Sequence, residues 1–305
     1  ANLKRANLKR ANLKRANLKR ANLKKAILNE LNNMFNIIKE RTMNKKIVFF
    51  DVDGTLYLPE IGVPDSAKEA IAMLIDNGHI PIICTGRTRP IIPDNLIELG
   101  FQGIIAGAGT YIEYDGKVIE NHVVEEGLVN EIMTFLQKNK VRYILEGPEY
   151  LYYEKKDQGE EYSYITSLFK FFGEDVLKAL DPGTTIRMNK MSCTLSEETN
   201  RELVMPKLEK YFQPIYHGSM EMFELVPLGI NKATGIQRLL KYLKLDQKDT
   251  FAFGDSNNDI EMLEYVETGI AMGNSYPEVL ERTKHKTKSV KEDGIYFGLK
   301  KFNLI

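Results

Sequence analysis

Cysteine and long apolar runs are both scarce in this chain of 305 residues. Its two cysteines, Cys84 and Cys193, cannot form a disulfide framework, and neither lies in a Cys-x-x-Cys or Cys/His cluster of the kind that binds zinc. We expect both to be core residues. No window reaches the roughly 18 apolar residues that cross a bilayer, and the N-terminus lacks the apolar core of a secretory signal. These absences predict a cytoplasmic protein without a membrane span.

Net charge is absent too, because 42 Lys and Arg balance 42 Asp and Glu. The balance conceals two different segments. Residues 1–42 contain 12 basic and 2 acidic residues and carry +10, so the remainder carries −10. That negative charge argues against wide contact between the remainder and a nucleic acid. With 43% hydrophobic and 28% charged residues, the composition is that of a globular protein, and the length suggests two domains.

The basic segment begins with ANLKR four times, followed by ANLKK. A five-residue step turns a helix by about 500°, so successive leucines advance by about 140° and form no apolar stripe. The next stretch does have helical spacing on one face, with Ile27, Leu28, Leu31, Met34, Phe35 and Ile38. A targeting peptide, a nucleic-acid or membrane arm, and an oligomerising helix are possible functions. The unbroken repeat before MNKKIVFF, which resembles an ordinary protein start at Met43, favours an extension outside the catalytic fold.

From Met43 onward the pattern is α/β. KKIVFF predicts a buried strand, DSAKEAIAMLIDNG a helix with Asp65 or Ser66 at its cap and Gly78 at its end, and HIPIICTG a second strand. A strand, a helix and a strand in this order indicate a parallel sheet. Ligands of such sheets bind at the carboxyl ends of the strands, so the residues that directly follow strands are the candidates for function.

Two carboxylates follow the first strand in IVFFDVDGTLY, residues 47–57. At a strand end, Asp51 and Asp53 can supply a nucleophile and an acid/base, provided that a cation reduces their repulsion of an anionic substrate. Hard oxygen ligands favour Mg²⁺ as that cation. Gly54 allows a sharp turn, and Thr55 offers a hydroxyl and an amide to a phosphate oxygen.

The two acids also allow two other interpretations. An EF-hand also begins Asp-x-Asp, but its sixth and twelfth positions would be Leu56 and Gly62 where Gly and Glu are required, which excludes it. A solvated acidic turn after the strand stays open on this stretch alone. The choice therefore depends on other segments.

Three later segments bear on that choice. CTGR follows the second strand, where Thr85 and the amide of Gly86 can hold a phosphate. GINKATGIQRLLKYL places Lys232 in the first turn of a helix, where its ammonium can pair with carboxylates and phosphate. TFAFGDSNND is another apolar strand that ends in acids, with Asp255 and Asp259 spaced to share a cation. Taken singly, each segment also fits an ordinary turn, a surface lysine or a solvated acidic loop.

Together the four segments resemble the ordered signature of the haloacid dehalogenase superfamily, which is DxDGT, then Thr or Ser, then Lys, then GDxxND. The resemblance extends from about Lys45 to the C-terminus, and GIAMGNSYPEVLERT…KEDGIYFGL resembles the Cof-like branch. It implies a Rossmann-like parallel-sheet core with helices on both faces and an inserted α/β cap. One departure is Ala108, since the Cof-like pattern often has Asn there; GAGTYI, residues 107–112, also fails as a dinucleotide fingerprint because its sixth residue is Ile112.

The resemblance also implies a role for each motif residue. Asp51 would be the nucleophile that takes the phosphoryl group, and Asp53 the acid/base. Lys232 and Thr85 would hold the transferring group. The remaining candidates for contact with phosphate or substrate are Gly54, Thr55, Gly86, Arg87 and Asn258. Mg²⁺ would be bound by the Asp51 carboxylate, the Asp53 backbone carbonyl and Asp255, with Asp259 in support.

Spacing locates the cap between Thr85 and Lys232, where well over a hundred residues alternate predicted helices and strands. We predict a basic leader at 1–42, a catalytic core at 43–123 and 228–305, and a cap at 124–227 that sets substrate specificity. The predicted function is Mg²⁺-dependent hydrolysis of a small phosphorylated metabolite, a sugar phosphate or nucleotide-like compound, through a phosphoaspartate. A phosphohexomutase and a non-catalytic phosphometabolite sensor are the alternatives, and the sequence indicates no oligomeric state.

Overall fold

A computed structural model describes residues 45–155, 172–216 and 220–305, together with residues 20, 23–25, 27, 28, 30 and 170. The chain divides into two units, Ala1–Lys45 and Lys46–Ile305. In the first unit, residues 20, 23–25, 27, 28 and 30 are helical, and Ile27 and Leu28 are exposed. The other four apolar residues of the predicted amphipathic helix lie outside the described residues, so that helix stays a prediction.

The described part of the second unit alternates strands with helices. Its strands are β1 (Ile47–Phe50), β2 (Ile80–Cys84), β3 (Gly103–Ala106), β4 (Tyr111–Tyr114), β5 (Lys117–Asn121), β6 (Arg142–Glu146), β7 (Leu151–Tyr153), β8 (Leu177–Ala179), β9 (Lys190–Thr194), β10 (Phe212–Tyr216), β11 (Met222–Pro227), β12 (Thr250–Gly254), β13 (Thr268–Ala271) and β14 (His285–Lys286). Its α-helices are α1 (Asp65–Asp76), α2 (Asp94–Ile97), α3 (Glu126–Lys138), α4 (Arg201–Leu208), α5 (Lys232–Leu243), α6 (Ile260–Tyr265), α7 (Pro277–Arg282) and α8 (Gly294–Lys301). Among the residues described, every helix is too short or too polar to cross a bilayer.

These strands form two sheets. The larger has the order β14-β13-β12-β1-β2-β3-β4-β5, with parallel pairing except for the antiparallel β3, β4 and β5 edge. The smaller has the order β10-β11-β9-β6-β7-β8 and is antiparallel except for the β7 and β8 pair. The predicted α/β class is confirmed.

Helices cover both faces of the larger sheet, as alternate residues of β1 show. Val48 and Phe50 pack in one cluster with apolar residues of α1 and α8, whereas Ile47 and Phe49 pack in a second cluster with residues of α5 and α6. Because neighbouring strand residues point to opposite faces, a strand buried on both faces must be apolar throughout. This accounts for the unbroken IVFF run and confirms the Rossmann-like core.

The structure confirms some predictions about individual helices and contradicts one. β4 and β5 form a hairpin with Asp115 and Gly116 at its turn, with φ of 51° and 70°, and Lys232 lies in the first turn of α5 as predicted. The predicted cap of α1 was wrong, because Pro64 occupies the cap position and makes no side-chain cap hydrogen bond. Pro64 has φ −57° and ψ 144°, so the chain is extended there and Asp65 is the first helical residue. Both cysteines are buried. The boundaries of core and cap stay predictions.

Candidate active site

Three neighbouring strands of the larger sheet, β12, β1 and β2, deliver the predicted polar residues to one edge. Asp255 directly follows β12, Asp51 follows β1, and Thr85 follows β2. Their carboxyl ends meet because the three strands are parallel. Lys232 reaches the same place as the first residue of α5, whose preceding residue, Asn231, forms a capping box with Thr234. The sheet order therefore assembles motifs that lie far apart in the sequence.

Lys232 is fully buried and contacts two carboxylates. Its Nζ donates to Asp51 Oδ1 at 2.6 Å and to Asp259 Oδ1 at 2.5 Å. Asp51 and Asp259 are buried, and oxygens of Asp51, Asp255 and Asp259 lie within 4.8 Å of one another. We call these four residues the aspartate cluster. Three carboxylates against one ammonium leave it with an excess of negative charge when all are ionised.

That excess charge appears in the pKa values of the cluster. Burial, followed by the charge of Asp259, raises the pKa of Asp51 well above its usual range, although Lys232 opposes the shift. Burial and Asp259 likewise raise the pKa of Asp255 to about 7. Burial alone would lower the pKa of Lys232, but Asp259 and Asp51 raise it, so the ammonium stays charged at neutral pH. The single ammonium of Lys232 is therefore too little positive charge to balance the three carboxylates when all are ionised.

Asp259 is already satisfied by the protein. Its Oδ2 accepts hydrogen bonds from the backbone amides of Asp255 and Ser256, each at 3.0 Å, while Oδ1 accepts from Lys232. The loop after β12 is thus folded around this carboxylate, and Asp259 fixes the position of Asp255. Asn258 lies beside it and accepts a hydrogen bond from the Ser256 hydroxyl at 2.8 Å.

Gly54 and Thr55 hold the Asp255 side chain from the β1 side. Gly54 has φ +83°, and a Cβ built there would collide with the Asp255 carboxylate, so glycine is needed for both conformation and space. The Thr55 hydroxyl donates to Asp255 Oδ1 at 2.8 Å. Asn274, from the GIAMGNS stretch, donates to the Gly54 carbonyl at 2.8 Å and so secures the turn.

The Asp53 side chain pairs with Arg87 and makes no contact with Lys232 among the hydrogen bonds of the described residues. The Arg87 guanidinium donates Nε to Asp53 Oδ2 at 2.7 Å and NH2 to Oδ1 at 2.6 Å, a bidentate pair. The same guanidinium lies over the Tyr57 ring, 5.4 Å from its centroid. About half of the Asp53 side chain is exposed, with 53% of its surface accessible. Asp53 therefore offers a fixed carboxylate to solvent, whereas Asp51 offers a buried one.

A cavity of about 460 Å³ is lined by residues from both sheets, and most of the predicted residues are among them. Its lining includes Asp51, Asp53, Thr85, Gly86, Arg87, Asp255 and Asn258 from the predicted set. Four polar lining residues of the smaller sheet were not predicted from the sequence: Glu146, Lys190, Ser192 and Glu224. The alternation of polar and apolar residues in KMSCT, residues 190–194, was the available signal, because it indicates a strand with one polar face.

The donor set fits a divalent cation such as Mg²⁺. Oxygen ligands from two or three carboxylates are what hard cations prefer, and the raised pKa values of Asp51 and Asp255 indicate that further positive charge would be accommodated. Because Asp259 already bonds two amides and Lys232, it suits a supporting position better than a leading one. This agrees with the ligand set that the sequence resemblance implies.

Comparison with known proteins gives relatives along most of the chain. YkrA of Bacillus subtilis, whose name places it among the phosphatases, is 30% identical over 264 residues, which cover 86% of this chain and all of YkrA. An HMP-PP phosphatase of Yersinia enterocolitica is 29% identical over 240 residues, 77% of this chain and 86% of that protein. Residues 1–32 match a model for pentapeptide repeats.

Solved structures agree with the sequence relatives. A Geobacillus kaustophilus protein of hypothetical status superposes with a TM-score of 0.75 and 30% identity, covering 86% of this chain and all of that one. The subclass IIB sugar phosphatase BT4131 superposes with a TM-score of 0.73 and 26% identity over the same shares. A model for haloacid dehalogenase-like hydrolases matches residues 48–299. The chain therefore belongs to the haloacid dehalogenase-like hydrolase family.

Proposed function

We propose that this enzyme, a hydrolase of phosphate esters, is an Mg²⁺-dependent phosphatase of small phosphorylated metabolites that works through a phosphoaspartate at Asp51. One observation carries the proposal: Asp51, Lys232, Asp255 and Asp259 converge at the strand ends, where Asp51 and Asp255 line a cavity together with Asp53. Names of relatives support the substrate class, since an HMP-PP phosphatase and a sugar phosphatase are among them. We also propose residues 124–227 as the cap.

The proposed reaction has two steps. A carboxylate oxygen of Asp51 attacks phosphorus, and the phosphoryl–Asp51 bond forms as the bond from phosphorus to the leaving oxygen breaks. Asp53, as general acid, gives a proton to that oxygen and the alcohol departs. Asp53 then takes a proton from water, whose oxygen attacks phosphorus and releases inorganic phosphate and free Asp51. The half-exposed position of Asp53 suits this exchange with water.

The surrounding residues position these groups. Arg87 holds the Asp53 carboxylate by two hydrogen bonds and thereby fixes its direction. Lys232 pairs with Asp51 and would offset negative charge on the phosphoryl group, whose oxygens Thr85, Gly86 and Thr55 would hold. Asp51, Asp255 and the backbone carbonyl of Asp53 would hold Mg²⁺, with Asp259 in support; the ion supplies neutralisation of the charge on the transferring group.

A screen of phosphorylated metabolites with the full chain tests this function. We expect phosphate release from at least one ester in the presence of Mg²⁺, loss of release on chelation, and recovery when Mg²⁺ is returned. Asp255→Asn should raise the Mg²⁺ concentration needed for half-maximal release, while Asp249→Asn, a control at an ion pair with Lys46 outside the cavity, should leave it unchanged. Unchanged release after exhaustive chelation would rule out the metal.

The phosphohexomutase alternative predicts a different product. A mutase keeps a bisphosphorylated intermediate and returns an isomerised hexose phosphate, whereas a phosphatase admits water and releases phosphate. Analysis of the products of one hexose phosphate incubation therefore separates the two. The predicted cytoplasmic location and the absence of a nucleic-acid partner stay predictions.

A further inference from the structure

The smaller sheet turns a polar face toward the cavity. Glu146 on β6 lies opposite Lys190 on β9, and Ser192, two residues further along β9, lies opposite Glu224 on β11. Residues two apart share a face of a strand, so all four side chains project from the same side of the sheet. The intervening residues pack instead in the apolar core of the other face: Tyr143, Leu145, Met191, Cys193, Phe223 and Leu225.

Charge on this face is buried and shared. Lys190 is only 1% exposed, and its Nζ lies 2.7 Å from Glu224 Oε2 and 3.4 Å from Glu146 Oε2. The Ser192 hydroxyl donates to Glu146 Oε1 at 2.5 Å. We call Glu146, Lys190 and Glu224 the glutamate cluster; when all three are ionised it carries one excess negative charge. Burial raises the pKa of Glu146, although Lys190 opposes that shift.

Stability gives no reason for such a cluster. A buried ion pair is often no more stable than well-packed apolar residues of similar volume, because the charges must be taken out of water. The opposite face of the same strands is apolar, so the sheet does tolerate apolar side chains. A function at the cavity does give a reason, since Glu146, Lys190 and Glu224 all line it together with Asp51 and Asp53.

The cluster also lies close to the segment that follows β2. The Thr88 hydroxyl donates to Glu146 Oε2 at 3.3 Å. A Cβ on Gly86 would lie 3.2 Å from Asn258 Nδ2 and 3.8 Å from Glu224 Oε2. The carboxylates therefore border the place where Thr85 and Gly86 would hold the phosphate. A small ester bound at Asp51 would place the rest of its molecule against the glutamate cluster.

We propose that Glu146, Lys190 and Glu224 recognise the part of the substrate beyond its phosphate, preferring a neutral or amine-bearing group rich in O–H and N–H donors and rejecting a second anionic group. The inference rests on the proposed phosphatase function. Carboxylate oxygens accept hydrogen bonds from hydroxyls and amines. A distal carboxylate or second phosphate would meet excess negative charge in a partly desolvated site and be repelled.

Competitive inhibition tests this preference. The probe substrate is p-nitrophenyl phosphate, which has no hydroxyl or amine to present to the cluster. Its competitors are glucose 6-phosphate, glucosamine 6-phosphate and 6-phosphogluconate, three compounds of similar size whose distal groups include a neutral hydroxyl, an amine and a carboxylate. We expect the inhibition constant of 6-phosphogluconate to exceed those of the other two. Inhibition constants can be measured whether or not a competitor is itself hydrolysed.

Two isosteric variants then remove the charge. Glu146→Gln and Glu224→Gln should each lower the inhibition constant of 6-phosphogluconate relative to that of glucose 6-phosphate by about tenfold, since one repelling charge is gone. In the same variants, the inhibition constant of glucosamine 6-phosphate should rise relative to that of glucose 6-phosphate. Glu209→Gln, at an exposed position at the end of α4, is the matched control and should leave all three ratios unchanged. Melting temperatures check that each variant folds.

The outcomes separate this proposal from the function on which it rests. Equal inhibition ratios in the parent and both cluster variants, or tightest binding of 6-phosphogluconate by the parent, would overturn the glutamate subsite while p-nitrophenyl phosphate hydrolysis still supports the phosphatase. No hydrolysis of p-nitrophenyl phosphate or of any other ester would overturn both. The expected shift of the ratios in Glu146→Gln and Glu224→Gln, but not in Glu209→Gln, supports the subsite.

Discussion

Two buried lysines are each paired with two carboxylates beside one cavity, which is lined by Lys190 and by Asp51, a partner of Lys232. Lys232, on α5, contacts Asp51 and Asp259 at the strand ends of the larger sheet. Lys190, on β9, contacts Glu146 and Glu224 on the smaller sheet. The clusters differ in one respect: the first has a third carboxylate, Asp255, within reach, and the second has the hydroxyl of Ser192.

Because of that difference, the aspartate cluster suits the chemical reaction and the glutamate cluster suits recognition of the substrate. A third carboxylate leaves the aspartate cluster short of positive charge, so it can accept a metal ion and a dianionic phosphoryl group together. The glutamate cluster is closer to neutral and has its donors and acceptors arranged across a rigid sheet, which suits hydrogen bonding to an uncharged molecule. We expect substitutions in the first cluster to lower kcat and those in the second to change KM and substrate preference.

The largest effect is expected from exchanging one acid for its amide in each cluster. Asp51→Asn should lower kcat at least about a thousandfold with every substrate, because an amide cannot attack phosphorus. The matched substitution Glu146→Gln should change KM and leave kcat nearly unchanged. Both amides nearly preserve shape, so thermal unfolding should confirm that each variant folds. Turnover of Asp51→Asn near the parent rate would refute its role as nucleophile.

Removing each lysine sharpens the contrast. Lys232→Met and Lys190→Met each leave buried carboxylates without their cation and should cost about 3–5 kcal/mol of stability. Only Lys232→Met should also lower kcat, by about a hundredfold or more, because it removes a charge at the transferring group. Added Mg²⁺ should raise the melting temperature of Lys232→Met by more than it raises that of Lys190→Met. Equal restoration in the two variants would contradict a metal site confined to the aspartate cluster.

A glycine exchange disturbs the aspartate cluster alone. Gly54→Ala places a methyl group against the Asp255 carboxylate and should weaken Mg²⁺ binding, as measured by calorimetry. Gly62→Ala is the matched control, since Gly62 also has positive φ but no atom within 4 Å of its Cβ position. Both variants should lose about 1–2 kcal/mol from backbone strain. Only the first should change metal affinity, and equal affinities would disprove the steric explanation.

The smallest effect is expected outside both clusters. A protein that begins at Met43 should hydrolyse the same esters with similar kcat/KM, because the five-residue repeat presents no continuous apolar stripe to pack against an enzyme. Attraction between exposed charges of the two segments is screened within about 8 Å in physiological salt. A protein that begins at Ala26 isolates the repeat from the following stretch. A large loss of activity on deleting residues 1–25 would show that the repeat takes part.

The aspartate cluster could be predicted from the sequence because Asp51 and Asp255 directly follow buried strands, Lys232 begins a helix, and Asp259 lies in the acidic loop after β12. Such positions are visible in one chain segment, and parallel strands bring them to one edge. The Arg87 and Asp53 pair could not be predicted, since it depends on the path of a loop after the strand. Nor could the glutamate cluster, because the pairing of Glu146 with Lys190 is set by the register of β6 and β9.

The phosphoaspartate at Asp51 is tested most directly by trapping it. In Asp53→Asn, p-nitrophenyl phosphate should still phosphorylate the enzyme, since its leaving group needs no proton, whereas hydrolysis of the intermediate loses its base. With Mg²⁺ we predict a burst of about one p-nitrophenol per enzyme, characteristic of covalent catalysis. Acid quenching and peptide mass analysis should place one phosphoryl group on Asp51. A phosphoryl group on another residue, or phosphate release from the parent enzyme with no phosphorylated peptide at any quench time, would contradict the account.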